Sequence, residues 1–256
     1  MLIGLTPEGR DTAKERLQKS RKLIFLLFCC ACLVPLAAWL LFRFDILKSA
    51  PVFNMDIQQP VAKVQTNQAI GTAFLISPTK LLTARHVLEG LKEGDKVQLL
   101  FEKIAEPRSL TATILFIAPQ KENLAAISGK VPVDYFLDDV AVLEIPAIND
   151  ITPLDLGSSD AVAVLDDVIL IGYPVGDYSI TRGSINSDKY QGFDLFKLDA
   201  ASNPGNSGGP CLLKEDNSVI GMLVGGAGAG TQGENVAIKI NAVKELLRRR
   251  GIDIIK

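Results

Sequence analysis

The hydrophobic pattern divides the chain into stretches of different kinds. From Leu23 to Phe42 there are 20 residues without a charge, and at about 1.5 Å per residue a helix of that length spans the ~30 Å hydrocarbon core of a bilayer. This run predicts a transmembrane helix, with Pro35 as a tolerated kink. Ahead of it, Thr6-Pro7-Glu8 reads as a helix start, Thr as cap and Pro at the first helical position, leading into a charged, solvated helix from Arg10 to Lys22. Beyond it the pattern changes to short apolar or alternating runs bounded by Gly, Pro, Asn and Asp, the cadence of an all-β protein. Six such runs lie near 61–66, 71–77, 80–84, 96–101, 110–118 and 139–145, and six more near 168–173, 178–187, 193–199, 211–214, 218–224 and 235–240. Pro146 to Asp160 links the two sets. A last helix is expected over Ala242 to Arg250, capped by Asn241 and stopped by Gly251, its basic final turn suiting the helix dipole.

Charge sets the orientation of the apolar run. Six basic residues precede it (Arg10, Lys14, Arg16, Lys19, Arg21, Lys22) and two follow closely (Arg43, Lys48), so the positive-inside rule keeps the N-terminus in the cytoplasm. A cleaved signal peptide fits less well: the run is long, and Lys48-Ser49-Ala50-Pro51 lacks a small residue three before the cut and has proline after it. The expected organisation is a cytoplasmic basic helix over 1–22, a single-pass span over 23–42, a stalk over 43–58 and one β domain over 59–256, facing the periplasm or the exterior. Over the whole chain 27 basic residues balance 29 acidic ones, so no basic patch suggests nucleic acid. Of four cysteines, Cys29, Cys30 and Cys32 lie in the apolar run, which leaves Cys211 without an intradomain partner. One histidine and one domain cysteine cannot fill a tetrahedral zinc site, so no metal and no cofactor is expected.

Three motifs carry the candidate chemistry. Asn203-Pro204-Gly205-Asn206-Ser207-Gly208-Gly209-Pro210 wraps small and turn-forming residues round one hydroxyl. A serine hydroxyl reacts at neutral pH only with a base in reach and backbone donors aimed at the developing oxyanion. Gly205 permits the positive φ that turns its N–H toward the same point as that of Ser207. The only histidine, His86, ends an apolar stretch that begins at Gly71-Thr72-Ala73-Phe74-Leu75-Ile76-Ser77-Pro78, and Asp138-Asp139 opens the run Val140-Ala141-Val142-Leu143. Of the two carboxylates, Asp139 directly precedes that run.

The order His86, Asp139, Ser207, at spacings of 53 and 68 residues, resembles the chymotrypsin-fold serine peptidases, and within them the HtrA/Deg branch, since unrelated folds place the same groups in other orders. Further points of likeness are Val168-Ile169-Leu170-Ile171-Gly172-Tyr173-Pro174, Thr181-Arg182-Gly183 and Leu198-Asp199-Ala200-Ala201. The resemblance implies two six-stranded antiparallel β-barrels with a C-terminal helix, His86 and Asp139 coming from the first and Ser207 from the second. It also implies a serine endopeptidase, which the apolar run would anchor to the membrane, in which His86 is the base, Asp139 orients it, Ser207 attacks, and the N–H groups of Gly205 and Ser207 bind the oxyanion. The pocket floor would lie at Ala201, six before the serine, with Ser202 beside it, and Val224, Gly225 and Gly226 would form one wall. None is charged, so cleavage after small or medium aliphatic residues of a polypeptide is expected. The glycine-rich stretch from 225 to 230 leaves room for a pocket ordered by substrate or by another subunit of a homo-oligomer. Only five residues follow Gly251, so the PDZ domain that many HtrA-type proteins carry there is not expected. Asn206 is neutral where digestive relatives have an aspartate, which argues against zymogen cleavage as a switch.

The alternative is a catalytically weak or inactive peptidase-fold sensor or scaffold that captures peptides without cutting them. Its support is Arg85, a cation where the family usually has a small residue. An esterase is a third option.

Overall fold

The structure is a computed structural model that describes residues 55–120, 133–226 and 234–253, together with Gln18, Ser20 and Lys22, which are helical. The expected span over 23–42, the first part of the stalk and the tract 227–233 lie outside the described residues. Among the described residues no helix is long and apolar enough to cross a membrane. Two compact units divide the chain, residues 1–52 and 53–256, and the second holds all that follows.

Strands β1 (Val61–Gln65), β2 (Ile70–Ser77), β3 (Lys80–Thr83), β4 (Lys96–Phe101), β5 (Arg108–Ile117) and β6 (Ala141–Glu144) close into one antiparallel barrel in the order β1-β2-β3-β6-β5-β4. Strands β7 (Asp167–Gly172), β8 (Ser179–Ser187), β9 (Leu195–Leu198), β10 (Pro210–Leu213), β11 (Val219–Gly226) and β12 (Asn235–Lys239) close a second in the order β10-β11-β12-β9-β8-β7. Each apolar run of the sequence has become one strand, and both barrels follow the same path. The patterns explain the layers. β5 alternates buried and half-buried positions along Ala112 to Ile117, as a strand with one face to a core must. β2 is buried at every position from Gly71 to Ser77, because the linking segment covers its other face. There Ile148, Ile151 and Leu154 are buried, and Leu154 N–H donates to Leu75 O at 3.0 Å. The segment then crosses to β11, Val219 N–H donating to Asp155 O and Gly157 N–H to Val219 O.

Helix α1 (Ile240–Arg249) closes the domain, with Ile240, Val243 and Leu247 buried. It begins before the residue expected as its cap: Lys239 stands at the N-cap, and Asn241 is already helical. Ile240 is a core residue with no exposure, and packing it draws the helix start forward. The Asn241 N–H, one of the donors a helix start leaves unpaired, is taken by Ser159 Oγ at 3.2 Å. At the other end Gly251 has φ +68°, its N–H donates to Arg248 O and that of Ile252 to Leu247 O, a Schellman stop. Arg248 and Arg249 bond Glu245, so this basic end is already partly neutralised.

One residue joins the two barrels by polar contacts on all sides. Thr72, in β2, is fully buried. Its hydroxyl donates to Gly205 O at 2.7 Å and accepts the Tyr173 N–H at 3.1 Å. Its own N–H donates to Ser207 O at 2.9 Å, and its carbonyl accepts the Thr83 hydroxyl at 2.8 Å. Replacing it by valine keeps the shape and strands two buried backbone groups, at about 1–3 kcal/mol each. We expect Thr72→Val to lower the denaturation midpoint in urea by clearly more than Thr72→Ser, which keeps the hydroxyl. A loss in Thr72→Val no larger than in Thr72→Ser would show that the hydroxyl bonds contribute no more than the methyl group.

Candidate active site

His86 sits in a 3-10 turn, Arg85–Leu88, immediately after β3. Val87 and Leu88 are buried at 2 % and 1 % exposure, and anchoring them turns the histidine outward, its side chain 26 % exposed. Strand pairing supplies the partner. Thr83 faces Ala141 across the β3–β6 ladder, and continuing that antiparallel register by two residues sets position 85 opposite Asp139. The Asp139 carboxylate is fully buried. Its Oδ1 accepts the His86 backbone N–H at 2.9 Å, and its Oδ2 lies 2.5 Å from His86 Nδ1. An ionised carboxylate only accepts, so Nδ1 carries the proton and Nε2 keeps a free lone pair. Asp138, the neighbouring candidate, is half-buried and lines a separate surface hollow with Leu246, Arg249 and Arg250.

The serine loop is held against the first barrel. Ser207 is half-exposed, while Gly205, Asn206, Gly208 and Gly209 around it are buried. Besides the Thr72 bonds, Gly208 N–H donates to Leu223 O at 2.7 Å and Gly209 N–H to Asn206 O at 2.9 Å. Gly208 has φ +83°, and a Cβ there would lie 2.2 Å from Thr72 O and 2.7 Å from Ala84 N. Only glycine permits both that conformation and that approach, which brings the residue after Ser207 against the chain two residues before His86. Gly205 has φ +106°, with Tyr173 O 2.2 Å from where its Cβ would stand. The Pro204 carbonyl accepts the Val175 N–H at 2.7 Å. In a trans peptide N–H and C=O point opposite ways, so the Gly205 N–H is turned away from that contact. Among the described residues, neither the Gly205 N–H nor that of Ser207 donates to a protein acceptor.

The expected pocket residues differ in exposure. Ala201 is exposed and Ser202 half-buried; Val224 is buried, Gly225 half-buried and Gly226 exposed. The chain ahead of the serine loop is fastened by three side chains. Thr181 Oγ1 donates to Ala201 O at 2.7 Å, Asn235 Nδ2 to Ala200 O at 2.6 Å, and Asp199 Oδ1 accepts the Ser184 N–H at 2.7 Å. Pairing of β10 with β11 ends at Pro210 and Met222, a register shift follows between Leu223 and Gly225, and among the described residues Val224 to Gly226 have no strand on that edge. Phe136 covers Gly225, its ring within 2.8 Å of where a Cβ would be.

Thr72, Phe136, Val175 and Asn235 escaped the sequence reading. Thr72 and Asn235 left a signal, a polar residue in a strand otherwise buried. Val175 left none: it is a β-branched residue at φ +54° and 80 % exposed, a strained conformation set by tertiary contacts. Among the described residues no group of His, Cys, Asp and Glu side chains is arranged to hold a metal ion. Cys211 is free and buried, and desolvation pushes its thiol up to about 12, which leaves it unreactive. Burial, and next the charge of Asp139, push the Tyr135 phenol up as well, so it faces the carboxylate as a neutral group.

Comparison with known proteins agrees with this geometry. A family model described as a trypsin-like peptidase domain matches residues 71–222, from β2 into β11. A probable periplasmic serine endoprotease DegP-like of Hahella chejuensis is 29 % identical over 196 residues, covering 72 % of this chain and 36 % of that protein. A namesake from Chlamydia pneumoniae is 32 % identical over 178 residues, covering 65 % and 31 %. The chain thus spans about a third of the length of these curated relatives. Among solved structures, the HtrA-type protease AlgW with a tripeptide superposes with a TM-score of 0.62 at 25 % identity, over 79 % of this chain and 64 % of that one. An inactive form of Rv3671c from M. tuberculosis H37Rv, at 21 % identity and TM-score 0.59, covers 79 % of this chain and 94 % of its own, and shares the fold. With two matching barrels, a buried carboxylate on the histidine and a glycine-framed serine inside the matched segment, this chain belongs to the trypsin-like peptidase domain family.

Proposed function

We propose that the domain is a serine endopeptidase. The observation that carries the reading is the Asp139-held imidazole, Nε2 free, beside a serine loop fastened to the same barrel through Thr72. His86 takes the Ser207 proton as the oxygen attacks a peptide carbonyl, and returns it to the leaving amine; Asp139 keeps the tautomer and offsets the imidazolium charge. The N–H groups of Gly205 and Ser207 receive the oxyanion. Water then releases the acyl group by the same route in reverse.

Substrate binding follows from the open edge of β11. An extended peptide can pair with Val224 to Gly226 as an added strand, which places the residue before the cut toward Ala201 and Ser202. No charged side chain stands among these, and a lysine or arginine would be desolvated there without a partner. Small or medium aliphatic residues fit. The DegP-like names of the relatives support a domain on the periplasmic or extracellular side, and the uncharged run from Leu23 to Phe42 would anchor it there.

Three outcomes are expected. In the first, a fluorophosphonate labels Ser207 of the wild-type protein, Ser207→Ala and His86→Ala abolish labelling and proteolysis while the melting temperature is kept, and Asp139→Asn costs on the order of 10⁴ in turnover. Asp138→Asn stays near wild type. A wild-type protein that binds peptides and is never labelled would be the non-cutting binder instead. In the second, cut-site profiling on a denatured protein mixture returns Val, Ala or Leu before the bond; a preference for Lys or Arg would show a pocket built from other residues. In the third, protease added to sealed cytoplasmic-side-out vesicles trims the N-terminal helix and spares the domain from Pro60 onward; the reverse pattern would overturn the orientation.

A further inference from the structure

A cation next to the histidine counts against a working base only if it faces the imidazole, and the Arg85 guanidinium has other partners. It is buried, at 7 % exposure. Its Nε lies 3.7 Å from Asp139 Oδ1, its Nη2 donates to Tyr135 O at 3.1 Å, and its centre sits 4.8 Å above the Tyr135 ring. We propose that Arg85 is a positioning residue of the hydrolytic site: it holds the Asp139 carboxylate against His86 and fastens to it the Tyr135–Phe136 turn that covers Gly225. The inference rests on the peptidase reading.

The physical argument begins with the carboxylate. Asp139 has no exposure to water, and a neutral imidazole brings no charge to offset it. A buried carboxylate with no cation is expensive, and that cost works against the placement in which it accepts from Nδ1. Arg85 supplies the missing charge on Oδ1, the oxygen that also takes the His86 N–H, and leaves Oδ2 to the ring. Both residues lie two positions beyond the Thr83–Ala141 pair that ends the β3–β6 ladder.

The second half concerns the substrate edge. Tyr135 and Phe136 meet edge to face with ring centroids 5.6 Å apart, and Phe136 lies over Gly225. A guanidinium can serve Asp139, the Tyr135 carbonyl and the Tyr135 ring at once because its donors form a rigid plane; a lysine ammonium is a single point of charge. Arginine therefore ties the carboxylate to the turn, and lysine would restore only the charge.

The test uses the full-length protein, wild type and the variants Arg85→Ala and Arg85→Lys, with thermal melting to establish folding. Two quantities are read: the rate at which fluorophosphonate labels Ser207, and kcat and KM on a peptide chosen from the cut-site profile. Arg85→Ala should label on the order of tenfold to a hundredfold more slowly, within the range that acid–base assistance supplies. Guanidinium chloride at non-denaturing concentration should restore much of that rate, where the same concentration of sodium chloride does not. Arg85→Lys should label close to wild type and still show a raised KM. A folded Arg85→Ala labelled at the wild-type rate, or a loss that neither lysine nor guanidinium relieves, would overturn the proposal. Should Arg85→Ala not fold, Arg85→Lys decides: wild-type KM and wild-type labelling together overturn it. A wild-type protein that is not labelled sinks the peptidase reading, a separate result.

Discussion

The geometry of the site depends on one buried threonine. The two barrels close on themselves, so no shared strand ladder holds one to the other, and their relative placement rests on side-chain packing and a few polar bonds across the seam. Thr72 makes three of them. Its N–H and hydroxyl reach Ser207 O and Gly205 O, and the hydroxyl accepts from Tyr173, all on the second barrel; its carbonyl takes the hydroxyl of Thr83 on its own. Because Thr83 is three residues before His86, the same small network fixes the histidine turn and the serine loop. A buried network of this kind is stiff when every member is paired, and costly when one is not.

Around that joint, rigid and compliant parts are distributed unequally. The histidine turn is pinned by its own buried Val87 and Leu88, and the carboxylate is buried two residues ahead of β6. On the serine side the backbone is in left-handed conformations at Gly205 and Gly208 and, against its preference, at Val175. Such conformations persist only where surrounding contacts over-determine them. Here the contact is the Val175 N–H on Pro204 O, which also orients the Gly205 peptide. The histidine and its carboxylate thus sit just beyond the ends of paired strands, and the serine loop on left-handed turns.

What could be read from the residues follows the same division. Twelve strands were legible because each barrel strand buries at least one face, and alternation or an apolar run bounded by turn formers records that directly. The candidate site was legible as three motifs because its histidine is the only one and its serine is framed by glycines. The contacts between motifs were not. Nothing in a linear pattern says that the Thr72 hydroxyl crosses to another barrel, that Arg85 faces a carboxylate rather than an imidazole, or that Asn235 fastens the carbonyl of Ala200. Those facts depend on register and barrel closure. The start of α1 was misplaced by a similar cause, since capping preference favoured Asn241 while the burial of Ile240 decided the outcome.

The two barrels are contiguous in sequence, the first complete at Glu144 and the second beginning at Asp167. A chain made from its N-terminus therefore presents all six strands of the first barrel before any strand of the second exists. His86 and Asp139 both lie ahead of the second barrel, whereas Ser207 lies in the loop between β9 and β10, within the second barrel's run of strands. Such a chain holds His86 and Asp139 before Ser207 has been added. Two copies of one strand path, joined end to end, thus divide the candidate site by order of synthesis: the histidine and its carboxylate belong to the half made first, the serine to the half made second.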